Sequence, residues 1–281
     1  MSTKKTPRTL KKPVFTVITV TLNNLSGLKN TYESISHQEF TNFEWLVIDG
    51  ASTDGSVDFL KDKKQNTDHE FILRYTSEKD AGIYDAMNKG IKHAFGEYLI
   101  FMNAGDTFAG PDILKTIEKH TEKQPDFIYG DAFETTKNGG RPIANPASQY
   151  KNMPWGMFTH HQAMIYNHQT LKAINIHYST LYTIASDYDF TARFLAKSKK
   201  IIYIPKPICI FEHGGISQQN AYTGRREQFL IREKLNMISP RKNVIIFITQ
   251  TIAWYLKAHA PWLYKHIKDM VNNRKKKIKS R

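Results

Sequence analysis

The carboxylates of this chain fall where apolar runs end. Phe43–Ile48 stops at Asp49, Glu97–Met102 stops at Asn103-Ala104-Gly105-Asp106, and Asp126–Tyr129 leads into Gly130-Asp131. A short apolar run bounded by turn residues reads as a buried strand. Helical patterns lie between the runs, which predicts βαβ units and a parallel sheet. Ligands of such sheets bind in the crevice beyond the carboxyl ends of the strands. A carboxylate placed there is positioned to hold a ribose, a base edge or a metal ion, so the layout points to a nucleotide site with a metal.

The elements that must hold these groups follow from the pattern. Strands are predicted over Phe15–Thr21, Phe43–Ile48, Phe71–Thr76, Tyr98–Met102, Phe127–Tyr129, His161–Tyr166 and Ile201–Ile204. Helices are predicted from about Leu28 to His37 with Ser26 as the cap, over Ser56–Lys64, along the Ile83, Met87, Ile91 and Ala94 stripe, from Pro111 to about Glu122, and from about Asp187. The segment Thr135–Tyr150, with Gly139-Gly140, Pro142 and Pro146, reads as a hairpin or mobile loop.

Composition narrows the class. The chain has 281 residues, 40% apolar and 12% aromatic, ordinary for a globular protein with a full core. Its one cysteine, Cys209, forms no internal disulfide, lies in an apolar stretch and reads as buried and structural, in a reducing compartment. Met1–Lys12 is basic and polar and does not read as a signal peptide. No stretch reaches the roughly 18–20 apolar residues that span a bilayer.

The net charge is +14, much of it at the two ends: Lys4, Lys5, Arg8, Lys11 and Lys12 at the start, and Lys265, Lys268, Arg274, Lys275, Lys276, Lys277, Lys279 and Arg281 at the close. Clustered charge of this sign suits a polyanion, and the absence of a recognisable nucleic-acid module favours an anionic membrane over nucleic acid. Asn243–His259 is apolar and aromatic but short, and Pro261-Trp262-Leu263-Tyr264 leads into the basic tail. Trp and Tyr beside Lys and Arg fit a headgroup zone. The same helix also suits a homo-oligomer contact. Three segments are expected: a disordered basic arm (1–12), a catalytic domain (13–235) and an amphipathic, basic C-terminal extension (236–281).

Four segments together resemble the glycosyltransferase family 2 enzymes. They are Val17–Asn24 (VITVTLNN), Leu46–Gly55 (LVIDGASTDG), Asp80–Gly90 (DAGIYDAMNKG) with Gly96–Asp106 (GEYLIFMNAGD), and Ala185–Phe190 (ASDYDF). The resemblance covers roughly Val14 to Ser217. It implies an α/β GT-A fold, a Rossmann-like, mainly parallel sheet flanked by helices, here with a C-terminal helical extension.

The resemblance also implies roles. Nucleotide-sugar contacts are expected from Thr21, Asn23, Asp49 and Asp80, and from Asn88, Asn103 and Asp106. The family's Asp-x-Asp-like turn reads Asn103-Ala104-Gly105-Asp106 here, so Asp106 is the expected Mn²⁺ or Mg²⁺ ligand, with His213 completing the metal or diphosphate site. Oxygen donors suit these cations, which use few protein groups when phosphates supply the rest. The family's Glu-Asp-like pair reads Ser186-Asp187, which makes Asp187 the general base for an acceptor hydroxyl. Asp189 is expected to orient a neighbour or cap the helix. His160 and His161 are expected on the acceptor or a phosphate, and Arg225 with Arg226 near the diphosphate from a lid that Gly214 and Gly215 let close.

The expected activity is inverting transfer of a sugar, by default from a UDP-sugar, to a hydroxyl of a glycan or lipid-linked glycan in bacterial surface polysaccharide synthesis. The enzyme is expected in the cytoplasm, peripheral on the inner face of the membrane. The alternative is a non-catalytic sugar-nucleotide-binding protein of the same fold, which the loss of acidic residues at Asn103, Gly105 and Ser186 would favour.

Overall fold

The structure is a computed structural model that describes residues 12–65, 70–136, 140–212, 214–215, 219–266 and 270. The N-terminal basic arm up to residue 11, His213 and most of the basic tail lie outside the described residues. The chain divides into two compact units, Met1–Gly215 and Ile216–Arg281.

The first unit is built on one mixed sheet. Its strands are β1 (Phe15–Thr21), β2 (Phe43–Asp49), β3 (Ile72–Ser77), β4 (Tyr98–Phe101), β5 (Thr107–Phe108), β6 (Phe127–Glu134), β7 (Ile143–Asn145), β8 (Met164–Asn167) and β9 (Ile201–Phe211). Their order is β3-β2-β1-β4-β8-β6-β9-β5, with β7 hydrogen-bonded to β6. The first four are mutually parallel. Strand β8 then runs antiparallel to both β4 and β6, and β9 returns parallel to β6.

Central parallel strands are covered on both faces, so they must be apolar along their whole length rather than alternating. Every residue of β1 and β2 is buried. The polar exceptions short of the strands' carboxyl ends are bonded. Trp45 Nε1 donates to Thr19 Oγ1 (2.8 Å), which donates to the Met102 carbonyl (2.7 Å). The fully buried Glu44 accepts from Thr16 Oγ1 (2.6 Å), the Phe95 amide and Arg74 (3.0 Å), tying β1, β2 and β3 together. Removing Arg74 alone would strand that carboxylate in the core, the costly way to break a buried pair.

The helices are α1 (Leu25–Ser36), α2 (Ser56–Gln65), α3 (Ile83–His93), α4 (Ile113–Thr121), α5 (His168–Ile174) and α6 (Ser186–Leu195) in the first unit, and α7 (Ala221–Lys234) and α8 (Pro240–His259) in the second. Several expectations need correction. Helix α1 starts at Leu25 because Asn24, not Ser26, is its cap, accepting from the Gly27 amide (3.0 Å). The predicted strand from His161 is a 3₁₀ turn (His161–Ala163) followed by β8. The run at Phe127 continues to Glu134, so Asp131 lies within a strand and spends Oδ1 on the Ala147 amide and Tyr203 hydroxyl (2.8 and 2.7 Å). Strand β9 runs past Pro205 and Pro207, where its register with β6 shifts on either side of Asp131. Prolines cannot donate to a ladder and are tolerated at such irregularities. The short β5 and the helices α5 and α7 carry no strong sequence signal and were not expected.

Candidate active site

Parallel register brings three polar side chains into one row. Thr21 pairs with Asp49, and Asp49 with Ser77, at the carboxyl ends of β1, β2 and β3. Asp49 is fully buried; its Oδ2 accepts from Ser77 Oγ (2.6 Å) and the Ser52 amide (3.0 Å). Its Oδ1 has no hydrogen-bond partner among the described residues, and neither do the buried Thr21 Oγ1 and Asn103 Oδ1. Unpaired buried polar atoms cost about 1–3 kcal/mol each, so three of them at one sheet edge mark a place built for a polar ligand.

The loop past β1 fixes the mouth of this crevice. Asn23 adopts a left-handed conformation (φ 48°) and accepts from the Thr53 amide (2.9 Å), while its own amide donates to Ser52 Oγ (2.8 Å). The loop before α2 is thereby locked to the end of β1. Asp80 lies over Gly50: a Cβ on Gly50 would come within 2.7 Å of Asp80 Oδ2. Its Oδ1 accepts from the Gly82 amide (2.9 Å), which fixes the loop just before α3.

The Asn103–Asp106 turn abuts the same edge, with the Ala104 amide donating to the Val20 carbonyl (3.2 Å). Behind it, Thr31 Oγ1 donates to the Asp106 carbonyl (2.9 Å) and accepts from the Gly105 amide (3.0 Å), and Asn24 Nδ2 donates to the Ala104 carbonyl (3.1 Å). Gly105 has φ 108°, a conformation that favours glycine. Asp106 is 5% exposed and accepts from Gln162 Nε2 (2.5 Å) and the Glu212 amide (3.2 Å). Burial, reinforced by the Glu212 charge and opposed by these two hydrogen bonds, pushes its carboxyl up to about 6.

Glu212 is the functional candidate that sequence reasoning passed over. Its Oε2 sits against Gly105, 2.3 Å from where a Cβ would be, beside Asp106. Among the described residues no group of three His, Cys, Asp or Glu could hold a metal. The donor set does fit a cation that shares its shell. Two carboxylates would suit Mg²⁺ or Mn²⁺ if diphosphate oxygens supplied the remaining ligands. His213, the other expected ligand, lies outside the described residues.

Asp187 sits half-buried in the first turn of α6, its Oδ1 accepting from the Tyr188 amide (2.8 Å). A carboxylate is favourably placed at a helix N-terminus. Asp189 is used differently: it pairs with Arg193 (2.6 Å), in line with an orienting role. Two residues of the Asp80–Gly90 motif steady the segment that leads to Asp187. Asn88 both donates to and accepts from the backbone of Tyr178 (2.9 and 2.8 Å), and Tyr84 donates to the Ile184 carbonyl (2.6 Å). The Asn88 amide is therefore turned to the Tyr178 backbone rather than to the donor crevice.

The expected histidines stand apart in character. His160 stacks on Phe211 (centroids 4.4 Å apart), and Asn145 Nδ2 lies 2.9 Å from its Nε2. His161 has a sealed Nε2 with no partner among the described residues, and burial lowers its pKa to about 4, so it is neutral. Nearby, the Tyr188 hydroxyl donates to the Met153 carbonyl (2.9 Å), pinning the 3₁₀ turn Tyr150–Trp155 to the helix of Asp187. Trp155 at the end of that turn is 61% exposed. Cys209 is fully buried, and burial raises its thiol pKa. Arg225 belongs to the second unit, where its guanidinium lies over Trp254 (5.0 Å).

The family model described as glycosyl transferase family 2 matches residues 16–183, more than half of the chain. The chain belongs to glycosyltransferase family 2. It is similar over 249 residues, at 27% identity, to a PGL/p-HBAD biosynthesis glycosyltransferase of Mycobacterium bovis, covering 86% of this chain and 91% of that one. An uncharacterized glycosyltransferase of Mycobacterium tuberculosis is 31% identical over 210 residues, 73% of this chain and 77% of its own. Among solved structures, S. aureus TarS 1–349 in complex with UDP-GlcNAc superposes with a TM-score of 0.62 at 18% identity, covering 83% of this chain and 70% of that one. The Pyrobaculum calidifontis mannosyltransferase PcManGT, in complex with GDP-Man and Mn²⁺, does so at 0.62 and 17%, covering 91% and 73%. These likenesses place the family 2 chain in the GT-A fold, with the mixed sheet described above, and make it a transferase.

Proposed function

We propose that this family 2 glycosyltransferase moves a sugar from a UDP-sugar to a hydroxyl of a glycan or lipid-linked glycan, with inversion, in bacterial surface polysaccharide or glycolipid synthesis. The observation that carries the reading is the row of buried, unpartnered oxygens on Thr21, Asp49 and Asn103 at the sheet's carboxyl edge, next to the Asp106 turn. Nucleoside hydroxyl and amide groups would satisfy them. TarS was solved with UDP and UDP-GlcNAc, and mycobacterial relatives are named for PGL/p-HBAD biosynthesis, which supports the donor class and a biosynthetic acceptor.

In this reading Asp49 and Thr21 hold the nucleoside, with Asn23 and Asp80 at the rim. Asp106 and Glu212 would hold a divalent cation, which offsets charge on the departing diphosphate. Asp187 accepts the proton of the acceptor hydroxyl as that oxygen bonds to the anomeric carbon and the bond to the diphosphate breaks. One base and no enzymatic nucleophile correspond to a single displacement, hence inversion. His160, Trp155 and the turn that carries it form the acceptor side. Asn88 acts by positioning the Asp187 segment.

The test is a thermal-shift panel of UDP, GDP, CDP and dTDP, each with and without Mn²⁺, because a ligand that binds only the native state raises its stability. A strong shift with UDP alone, increased by Mn²⁺ in the wild type and not in Asp106→Ala, is the expected result. No shift with any nucleotide would remove the donor assignment.

A further inference from the structure

Helix α8 has two faces, and among the described residues only one is packed. On one side Phe247 packs against Phe229 (centroids 5.4 Å) and Tyr222 (6.4 Å) of α7, Trp254 lies beneath Arg225, and Asn243 accepts from Arg232 Nε (2.7 Å). The opposite side is also apolar. Val244, Ile245, Ile248, Ile252 and Tyr255 are 45–57% exposed. At about 100° per residue these five fall within one arc of roughly 100°, centred opposite the buried Asn243 and Ile246. Together they expose on the order of 400 Å² of side chain, the scale at which an apolar patch marks an interaction site.

The charges around the stripe indicate what it meets. Helix α8 contains no acidic residue, and Arg241 and His259 fall on the same arc as the stripe, one at each end. Trp262, 73% exposed, and the exposed Lys265 follow. A helix about 30 Å long with an apolar stripe, basic ends and a flanking Trp has the build of an element that lies in the plane of an anionic bilayer. No helix among the described residues is long and apolar enough to cross one.

A second copy of the chain is the competing occupant. Ile245, Ile248, Ile252 and Tyr255 do follow a 3-4-3 spacing. That spacing lasts only two heptads, whereas a stable coiled coil needs about three or four. Its flanking positions, Thr249, Thr251, Leu256 and Ala258, carry no charges to set a pairing, and the chain's net charge of +14 disfavours self-association.

We propose that the outward stripe of α8, Val244, Ile245, Ile248, Ile252 and Tyr255, is a membrane-docking face that inserts edge-on into an anionic lipid surface, Arg241 and His259 meeting the headgroups. The proposal deepens the membrane placement expected for this enzyme by naming the face, and it is independent of the donor chemistry. The test is co-flotation of the full chain with phosphatidylcholine vesicles and with vesicles containing about 30% phosphatidylglycerol. The expected result is binding to the anionic vesicles that weakens with salt.

The double variant Ile248→Glu/Ile252→Glu should bind about a hundredfold more weakly, on the order of tenfold for each isoleucine kept out of the bilayer. Arg241→Glu/Lys242→Glu should lose the preference for anionic lipid while keeping the stripe. Circular dichroism and the nucleotide thermal shift are measured on every variant, so that misfolding or failure of the donor assignment is read separately from failure of docking. Undiminished binding by the isoleucine variant, no preference of the wild type for anionic vesicles, or a wild-type dimer that this variant turns to monomer would each overturn the proposal.

Discussion

Asp106→Asn should make the ligand-free protein more stable at neutral pH, although it removes a proposed ligand of the active site. The Asp106 carboxyl titrates at about 6 in the fold, against 3.8 for an unperturbed Asp, because it is buried and faces the Glu212 charge. Roughly two units at about 1.4 kcal/mol each give on the order of 3 kcal/mol. The sign follows from proton counts. Below about pH 4 the group is protonated in both states and costs nothing. Between about 4 and 6 the unfolded chain releases its proton while the folded chain keeps it, so stability falls as pH rises. Above about 6 the full penalty remains. Asparagine cannot ionise, and with Gln162 turned end for end it can keep both hydrogen bonds now made to Gln162 and the Glu212 amide. Differential scanning fluorimetry in chelator from pH 4 to 8 should show the variant melting about 3–8 °C above wild type at pH 7.5, with the gap closing towards pH 4. With UDP and Mn²⁺ the order should reverse, because only the wild type gains the metal-dependent increment. Wild-type and variant curves that run parallel from pH 4 to 8 would refute the reasoning, since the carboxylate would then carry no burial penalty.

Asp187→Asn should lower the rate of nucleoside diphosphate release by about 10²–10⁴-fold while leaving the UDP thermal shift intact, the signature of a lost base rather than a lost binding group. Asn88→Ala removes both bonds to the Tyr178 backbone; a loss of about 1–3 kcal/mol in denaturant unfolding, with kcat reduced more than donor KM, is expected. Gly105→Ala puts a methyl group where Glu212 Oε2 lies and strains a φ of 108°, so calorimetry should show destabilisation of about 1–3 kcal/mol and fluorimetry a weakened Mn²⁺ increment. Trp155→Ala should raise acceptor KM several-fold with little change in donor KM, as loss of an aromatic surface worth about 1 kcal/mol would do.

The parallel half of the sheet was legible because its physics is local. Strands buried on both faces must be continuously apolar, and β1, β2 and β4 fall within a residue of the predicted runs. The row Thr21–Asp49–Ser77 was partly legible: Asp49 ends an apolar run, but Ser77 becomes part of the row only through pairing of β2 with β3. The antiparallel half was less so. Strands β5 and β7 are two and three residues long and exist because longer neighbours offer them edges. Strand β9 contains two prolines, which normally argue against a strand, and only the irregular pairing with β6 admits them. Gln162 and Glu212 were hidden for a related reason. They lie 56 and 106 residues from Asp106 and meet its carboxylate only in the fold. The one sequence signal for them was their company, next to the two histidines and to His213.

The departures from the family's acidic pattern acquire a physical account in this arrangement. Where an Asp-x-Asp turn would supply further carboxylates, this chain has Asn103 and Gly105, and Gly105 gives the Glu212 carboxylate the room a side chain would take. A carboxylate brought from β9's end thus stands where the turn itself has none. The exchange has a consequence for metal dependence. A carboxylate on the turn is fixed by the turn, whereas Glu212 is exposed and lies just past the end of β9. Asp106, held by Gln162 and braced from behind by Thr31, is the rigid half of the pair. Cation affinity should therefore depend on whether the bound diphosphate draws the exposed Glu212 carboxylate to the cation, which makes metal and donor binding mutually dependent: each should raise the other's affinity by the same factor. Titrating Mn²⁺ at fixed UDP and UDP at fixed Mn²⁺ measures that factor twice, and Glu212→Gln should reduce it while leaving the affinity for UDP alone unchanged.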